Sequence, residues 1–274
     1  MTTGNDHVLA RDLAAAAGER LLELRAPGGE PGLLRQAGDR LSHEFLTARL
    51  AACRPGDAVL SEEAADDPAR LAASRVWIVD PLDGTREFGE PGRTDWAVHV
   101  ALWERSDASD GGDLAAGAVA LPAQGRVLST VPGALNDGAG RDEETGGAGG
   151  AGGTWGGGRG RVRIVVSRTR APRLVQNISD LIDVELVPLG SAGAKVAAVV
   201  CGEADAYLHA GGFYEWDTAA PVAVARAAGC HASRIDGSPL VYNQADLTMP
   251  DILVCRPPFA AALLQAIREV TNAS

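Results

Sequence analysis

Asp80 and Asp83 lie three residues apart and are followed by Gly84, a spacing that suits chemistry. The apolar run Trp77-Ile78-Val79 reads as the end of a buried strand, so Asp80 falls where the chain leaves the core. Pro81 fixes its own φ and lacks an amide proton, which predicts that the strand ladder stops there. Asp83-Gly84 predicts a turn, with Gly84 allowing close approach of the backbone to a ligand. Two carboxylates on one rigid turn repel unless a positive charge lies between them. A hard divalent cation with oxygen ligands meets that requirement. Taken alone, the pattern fits a strand end with a solvated turn as well. Glu62 and Glu63 follow a second short apolar stretch eighteen residues before Asp80 and can reach the same edge. Asp217 precedes a predicted helix, where it fits an N-cap as well as a further ligand.

The longer string Asp80-Pro81-Leu82-Asp83-Gly84-Thr85-Arg86-Glu87-Phe88 resembles the first signature of the inositol monophosphatase superfamily, the lithium-sensitive, magnesium-dependent phosphomonoesterases. Trp216-Asp217-Thr218-Ala219-Ala220, about 130 residues further on, resembles the second. The Arg-Glu-Phe ending, Val166-Ser167-Arg168 and Glu215-Trp216-Asp217 are most similar to the CysQ-type 3′(2′),5′-bisphosphate nucleotidases. The resemblance implies a layered αβαβα fold and two or three Mg²⁺ ions held by Glu62, Asp80, the Leu82 carbonyl, Asp83 and Asp217. Asp39, Thr85 and Glu62 are the implied catalytic groups, with Asp39 and Thr85 activating the attacking water. Most members carry a threonine three residues before that aspartate, where this chain has Gln36. Local signals read Asp39 equally well as the N-cap of a helix over 40–50.

Around the substrate the resemblance implies Gly84, Thr85, Ser167, Arg168, Ser191, Lys195 and Glu215. Arg168 either pairs with a second phosphate in bidentate fashion or is a solvated residue at a strand end. Ser191 and Lys195 sit at a strand-to-helix turn, where they contact an anion or where Ser191 is an ordinary N-cap. Glu215 is expected near a ribose or inositol hydroxyl. The implied activity is removal of the 3′-phosphate of adenosine 3′,5′-bisphosphate, linked to sulfate assimilation. Hydrolysis of inositol 1-phosphate or fructose 1,6-bisphosphate, and a non-catalytic phosphate-binding regulatory protein, are the alternatives on the same scaffold. Relatives are often homodimers, and a homodimer is the matching expectation.

Composition narrows the partners. The chain has 274 residues, 46% hydrophobic and 22% charged, with a formal net charge of −11. Such a charge repels nucleic-acid polymers and anionic membranes, whereas bound metal reverses the local field for a small phosphate. The four cysteines, Cys53, Cys201, Cys230 and Cys255, have no zinc spacing and read as reduced thiols of a cytoplasmic protein. There is no N-terminal apolar leader and no apolar run long enough for a membrane span.

The elements that must position these residues follow from periodicity. Helices are expected over 6–25 and 39–53, then strands at 58–60, 77–79, 95–103, 115–121 and 126–130, the last three as an antiparallel meander. The glycine-rich stretch 138–160 predicts a mobile loop. Beyond it, strands at 161–167, 185–189, 204–209, 239–242 and 252–254 alternate with helices at 171–183, 192–201, 218–228 and 258–270. The class is therefore α/β: an α+β half with an antiparallel sheet over 1–160, and an α/β half over 161–274. His43, His99 and His231 lack partners at metal spacing and read as structural or surface residues.

Overall fold

Alternate residues of the central strands face different cores. In β2 (Arg75–Asp83), Trp77 and Val79 join one apolar cluster while Val76 and Ile78 join another. A strand buried on both faces needs a layer on each side. The computed structural model describes residues 4–106, 111–133, 161–168 and 173–272, so the stretch 138–160 lies outside the described residues.

The first sheet runs in the order β1 (Ala58–Ser61), β2, β3 (Ala97–Glu104), β4 (Asp113–Leu121) and β5 (Arg126–Ser129). Its outer face is covered by α1 (Gly4–Arg25) and α2 (Pro31–Cys53) through Leu13, Leu21, Leu46 and Leu50. Its inner face packs on α5 (Ala192–Val200) and α6 (Glu215–Ala227). The same two helices rest against the second sheet, ordered β7 (Val184–Leu189), β6 (Val162–Ser167), β8 (Ala206–Tyr214), β10 (Thr248–Cys255) and β9 (His231–Ser233). Two helices, α4 (Arg173–Ile178) and α7 (Ala260–Asn272), close the far face with Val175, Ile178, Leu263 and Ile267. The result is the five-layered αβαβα arrangement expected from the resemblance.

Several local expectations are corrected. The first sheet is not wholly antiparallel, because β1 pairs with β2 in parallel. Strand β2 does not end at Asp80. It continues through Pro81 to Asp83, with an irregular register against β3 between Asp80 and Asp83. Pro81 is tolerated there because its lost donor falls beyond the last β1–β2 pair, Ser61 with Val79. A short helix, α3 (Thr85–Gly89), follows after Gly84 turns at φ 84°. Helix α2 starts at Pro31, capped by Glu30, whose carboxylate accepts from Gly32 N and Leu33 N. Asp39 is therefore mid-helix and caps nothing. Helix α4 is shorter than expected, and 239–242 forms no strand although Leu240 and Tyr242 are buried.

Helix α2 approaches α3 at Gly38. A Cβ placed there would lie 2.8 Å from the Phe88 ring and 2.9 Å from Leu82 Cδ2. Phe88 itself stacks edge-on against Trp96 at 5.0 Å and cannot retreat. Gly38→Ala adds about 1 kcal/mol of helix propensity but overpacks a site that sets Asp39 beside Thr85, at a typical cost of 1–3 kcal/mol. We expect a net loss of stability, read as a lower urea midpoint with an unchanged slope.

Candidate active site

The sheet register brings the acidic side chains together. Asp80 on β2 pairs with His99 on β3, and Asp83 with Ala97. Asp80 is 1% exposed. Its Oδ1 accepts from Leu82 N at 3.0 Å, holding the carboxylate against its own turn. Asp83 Oδ2 receives Gly193 N at 2.8 Å from the first turn of α5, so the central helix layer fixes it. His99 is fully buried between them: Nε2 lies 3.2 Å from Asp83 Oδ2 and Nδ1 3.9 Å from Asp80 Oδ2. The first of these contacts lacks the alignment of a full hydrogen bond. His99 Nδ1 also lies 3.2 Å from Trp216 O, which ties β3 to the start of α6. Asp217 is the third residue of α6, not its N-cap, and its carboxylate accepts from Tyr214 N at 2.6 Å. On the other side, Thr85 Oγ1 lies 3.1 Å from Leu82 O and 3.5 Å from Asp39 Oδ1.

This much negative charge out of water is unstable by itself. Burial, then Asp83, Glu62 and Asp217, push Asp80 well above the carboxylate range. Glu62 is exposed as a residue, but desolvation of its carboxyl and the neighbouring acids raise it to about 7. Asp217 is raised to about 7, by burial first and Asp83 second, and Asp39 to about 6, by burial and then Glu63. Asp83 is the exception: burial alone would raise it, but His99, the Gly193 amide and Lys195 together hold it low. Asp80 Oδ2 is buried without a hydrogen-bond donor. Two things satisfy such an oxygen: a proton on Glu62, whose carboxyl faces it, or a cation. Ligand atoms of Asp80, Asp83 and His99 lie within 4.8 Å of one another. Two carboxylates, one with an orphaned oxygen, and an imidazole nitrogen this close together fit a divalent metal.

A cavity of about 360 Å³ opens beside Asp83 and Asp217. Gly84, Ser167, Arg168, Ser191 and Lys195 line it. Ser191 caps α5 through Ala194 N at 2.8 Å, and Asp95 holds the turn before it, accepting from Gly190 N and Ser191 N. Lys195 is 5% exposed, donates to Gly190 O, and is lowered by burial despite the facing Asp83, Glu87 and Asp217. Arg168 reaches the cavity with its guanidinium forked onto Glu90, at 2.9 and 3.0 Å. Glu215 does not line this cavity. It is fully buried, and its two oxygens accept from Asn243 N and Gln244 N at 2.7 Å each. Arg70, also buried, donates to Asn243 Oδ1 and Gln244 O at 2.7 Å each. Glu215 is thus the inner half of a clasp between the 66–73 turn and the start of α6.

Residues 10–272 match the model of the inositol monophosphatase family. The chain belongs to the inositol monophosphatase family. A protein of Mycobacterium leprae named 3′-phosphoadenosine 5′-phosphate phosphatase is 54% identical over 271 residues, covering 97% of this chain and 94% of its own length. The 3′(2′),5′-bisphosphate nucleotidase CysQ of Escherichia coli K12 is 31% identical over 218 residues, covering 76% and 78%. Among solved structures, CysQ from Bacteroides thetaiotaomicron superposes with a TM-score of 0.72 at 30% identity, covering 93% of this chain and 98% of its own. Inositol monophosphatase II of Staphylococcus aureus MSSA476 gives 0.74 at 20% identity, covering 96% and 95%, a likeness of fold alone.

Within this family member, His99 and Asp95 are the residues that motif reading passes over. His99 had a signal: it sits among apolar residues of a strand, on the face of Ala97 and Ala101. A histidine on a core face needs polar partners, and the register across from Asp80 supplies them.

The raised carboxyls set a pH dependence for the metal-free protein. Asp39, Glu62 and Asp217 have folded pKa values above their unfolded ones, so the stability they contribute is complete below about pH 4 and is lost as pH rises through 6 to 7. In EDTA the melting temperature should therefore fall between pH 5.5 and 8. Added Mg²⁺ should restore more at pH 8 than at 5.5. A melting temperature that rises across that interval in EDTA would contradict this electrostatic picture.

Proposed function

We propose that this chain is a magnesium-dependent phosphomonoesterase that removes the 3′-phosphate of adenosine 3′,5′-bisphosphate. The observation that supports the reading is the electrostatic proximity of Asp39, Glu62, Asp80, Asp83 and Asp217, with Asp83 and Asp217 lining a cavity and Asp80 Oδ2 lacking a donor. The names and identities of the M. leprae and E. coli relatives support the substrate class.

In this reading Glu62, Asp80, the Leu82 carbonyl, Asp83 and Asp217 hold two or three Mg²⁺ ions. Bound there, the ions supply a Lewis acid for the phosphate oxygens, an acidified water and charge for the leaving alkoxide. The rest is the work of the chain. Asp39 accepts a proton from the attacking water, and its raised affinity for protons suits a base near neutral pH. Thr85 orients that water. Its single hydroxyl proton serves either Leu82 O or Asp39, so withdrawing Leu82 O to another partner turns the hydroxyl toward Asp39. The Gly84 turn keeps the backbone low beside the cavity, where a side chain would meet Ser191 Cβ at 3.0 Å. Ser167, Ser191 and Lys195 line the cavity that would take the ester.

Among the described residues no helix is long and apolar enough to cross a membrane. A cytoplasmic homodimer acting on a by-product of sulfate assimilation, and inhibited by lithium, completes the proposal.

Phosphate release from adenosine 3′,5′-bisphosphate should exceed that from inositol 1-phosphate and fructose 1,6-bisphosphate at equal concentration with Mg²⁺. A preference for inositol phosphate would overturn the substrate assignment. Asp83→Asn should leave the circular dichroism spectrum in place and lower kcat by about three orders of magnitude, the equivalent of several kcal/mol of charge stabilisation. Undiminished turnover would remove the metal reading.

A further inference from the structure

The inference here rests on the phosphatase reading above and concerns how a second phosphate is recognised. Arg86, Arg168 and Lys195 are the lysine and arginine side chains among the described residues that line the cavity. Two of them are already committed. The Lys195 ammonium donates to Gly190 O and lies 5.3 Å over the Tyr207 ring, with Asp83, Glu87 and Asp217 around it. Arg168 makes a fork-to-fork pair with Glu90, and its Nε lies 3.4 Å from Glu87. Turning Arg168 to a ligand would take from Glu90 its hydrogen-bonded partner and from Glu87, only 7% exposed, a paired cation. Arg86 is different. It is exposed on the cavity wall and makes no ion pair or hydrogen bond among the described residues. Glu90 is within electrostatic reach, but its two oxygens are already taken by Arg168.

The backbone under Arg86 is firmly held. Helix α3 begins at the left-handed Gly84, and Phe88 packs against Trp96. Arg25 donates to the carbonyls of Glu90 and Arg93 at 2.6 and 2.7 Å, closing the segment onto the end of α1. Arg86 directly follows Thr85, so its guanidinium swings over the cavity from beside the reacting centre. An uncommitted planar cation on a fixed backbone is the fitting partner for a phosphate dianion.

We propose that Arg86 binds the non-reacting phosphate of the substrate and so determines the preference for a bisphosphate over a monophosphate. Specificity is a difference between two substrates, so the test is a ratio. The values of kcat/KM for adenosine 3′,5′-bisphosphate and adenosine 3′-monophosphate should be measured for the wild type, Arg86→Ala, Arg86→Lys and Arg168→Ala. The bisphosphate-to-monophosphate ratio should fall roughly ten- to hundredfold in Arg86→Ala, the effect of losing a charge-assisted hydrogen bond, and return only in part in Arg86→Lys, which restores the charge but not the planar fork. The proposal is overturned if Arg86→Ala lowers both substrates in proportion or neither, if Arg168→Ala collapses the ratio instead, or if the wild type does not prefer the bisphosphate. A wild type inactive on both nucleotides is a separate result, and it removes the phosphatase reading itself.

Discussion

Mutual repulsion among carboxylates is the constraint around which this molecule is arranged. Asp80 and Asp83 are nearly out of solvent, and burial together with Asp83, Glu62 and Asp217 raises the affinity of Asp80 for protons. A fold that only needed stability would replace such a group with packed hydrocarbon. This one surrounds it with devices that hold the charges in place: an amide from the start of α5 on Asp83, a histidine wedged between two strands, and an amide of the turn itself on Asp80. The layers serve that end, because the central helix pair touches both sheets and carries both Gly193 and Asp217.

The same logic separates residues that face a ligand from those that brace them. Glu215 and Asp217 are two positions apart on one helix turn, yet one is sealed against backbone amides and the other opens toward the cavity. Arg70 and Asn243 reinforce the sealed side, and Asn243 takes a left-handed φ of 60° to present its amide. A charged residue beside a functional one is thus no guide to its own role. What decides is whether its oxygens are already satisfied.

Much of the architecture was legible in the sequence. Alternating apolar residues marked the strands, and the two acidic strings marked the edge where they meet. The errors have physical causes. The β2 extension was hidden because Pro81 reads as a terminator, although a proline beyond the last paired residue of its neighbour costs no ladder bond. Local signals fitted Asp39 as a helix N-cap as well as a catalytic group, although Gly38 precedes it within the same helix. In the fold that glycine is a packing contact with Phe88 inside a longer helix. Glu215 was expected near a substrate hydroxyl from its motif, and nothing local reveals that 243–244 returns to cover it. His99 was set aside because its partners are neighbours across strands rather than along the chain.

The clasp of Arg70, Asn243 and Glu215 carries a consequence for how the protein is made. Its halves lie 173 residues apart, and the acidic strings that share the central cluster are 134 residues apart, from Asp83 to Asp217. A nascent chain emerging from the ribosome exposes the first string long before the helix that completes it exists. Until α5 and α6 arrive, the first sheet has one bare face and its carboxylates have solvent for company. Assembly of the pocket is therefore a late event in biogenesis, because it waits for the stretch that carries Gly193, Asp217 and Asn243.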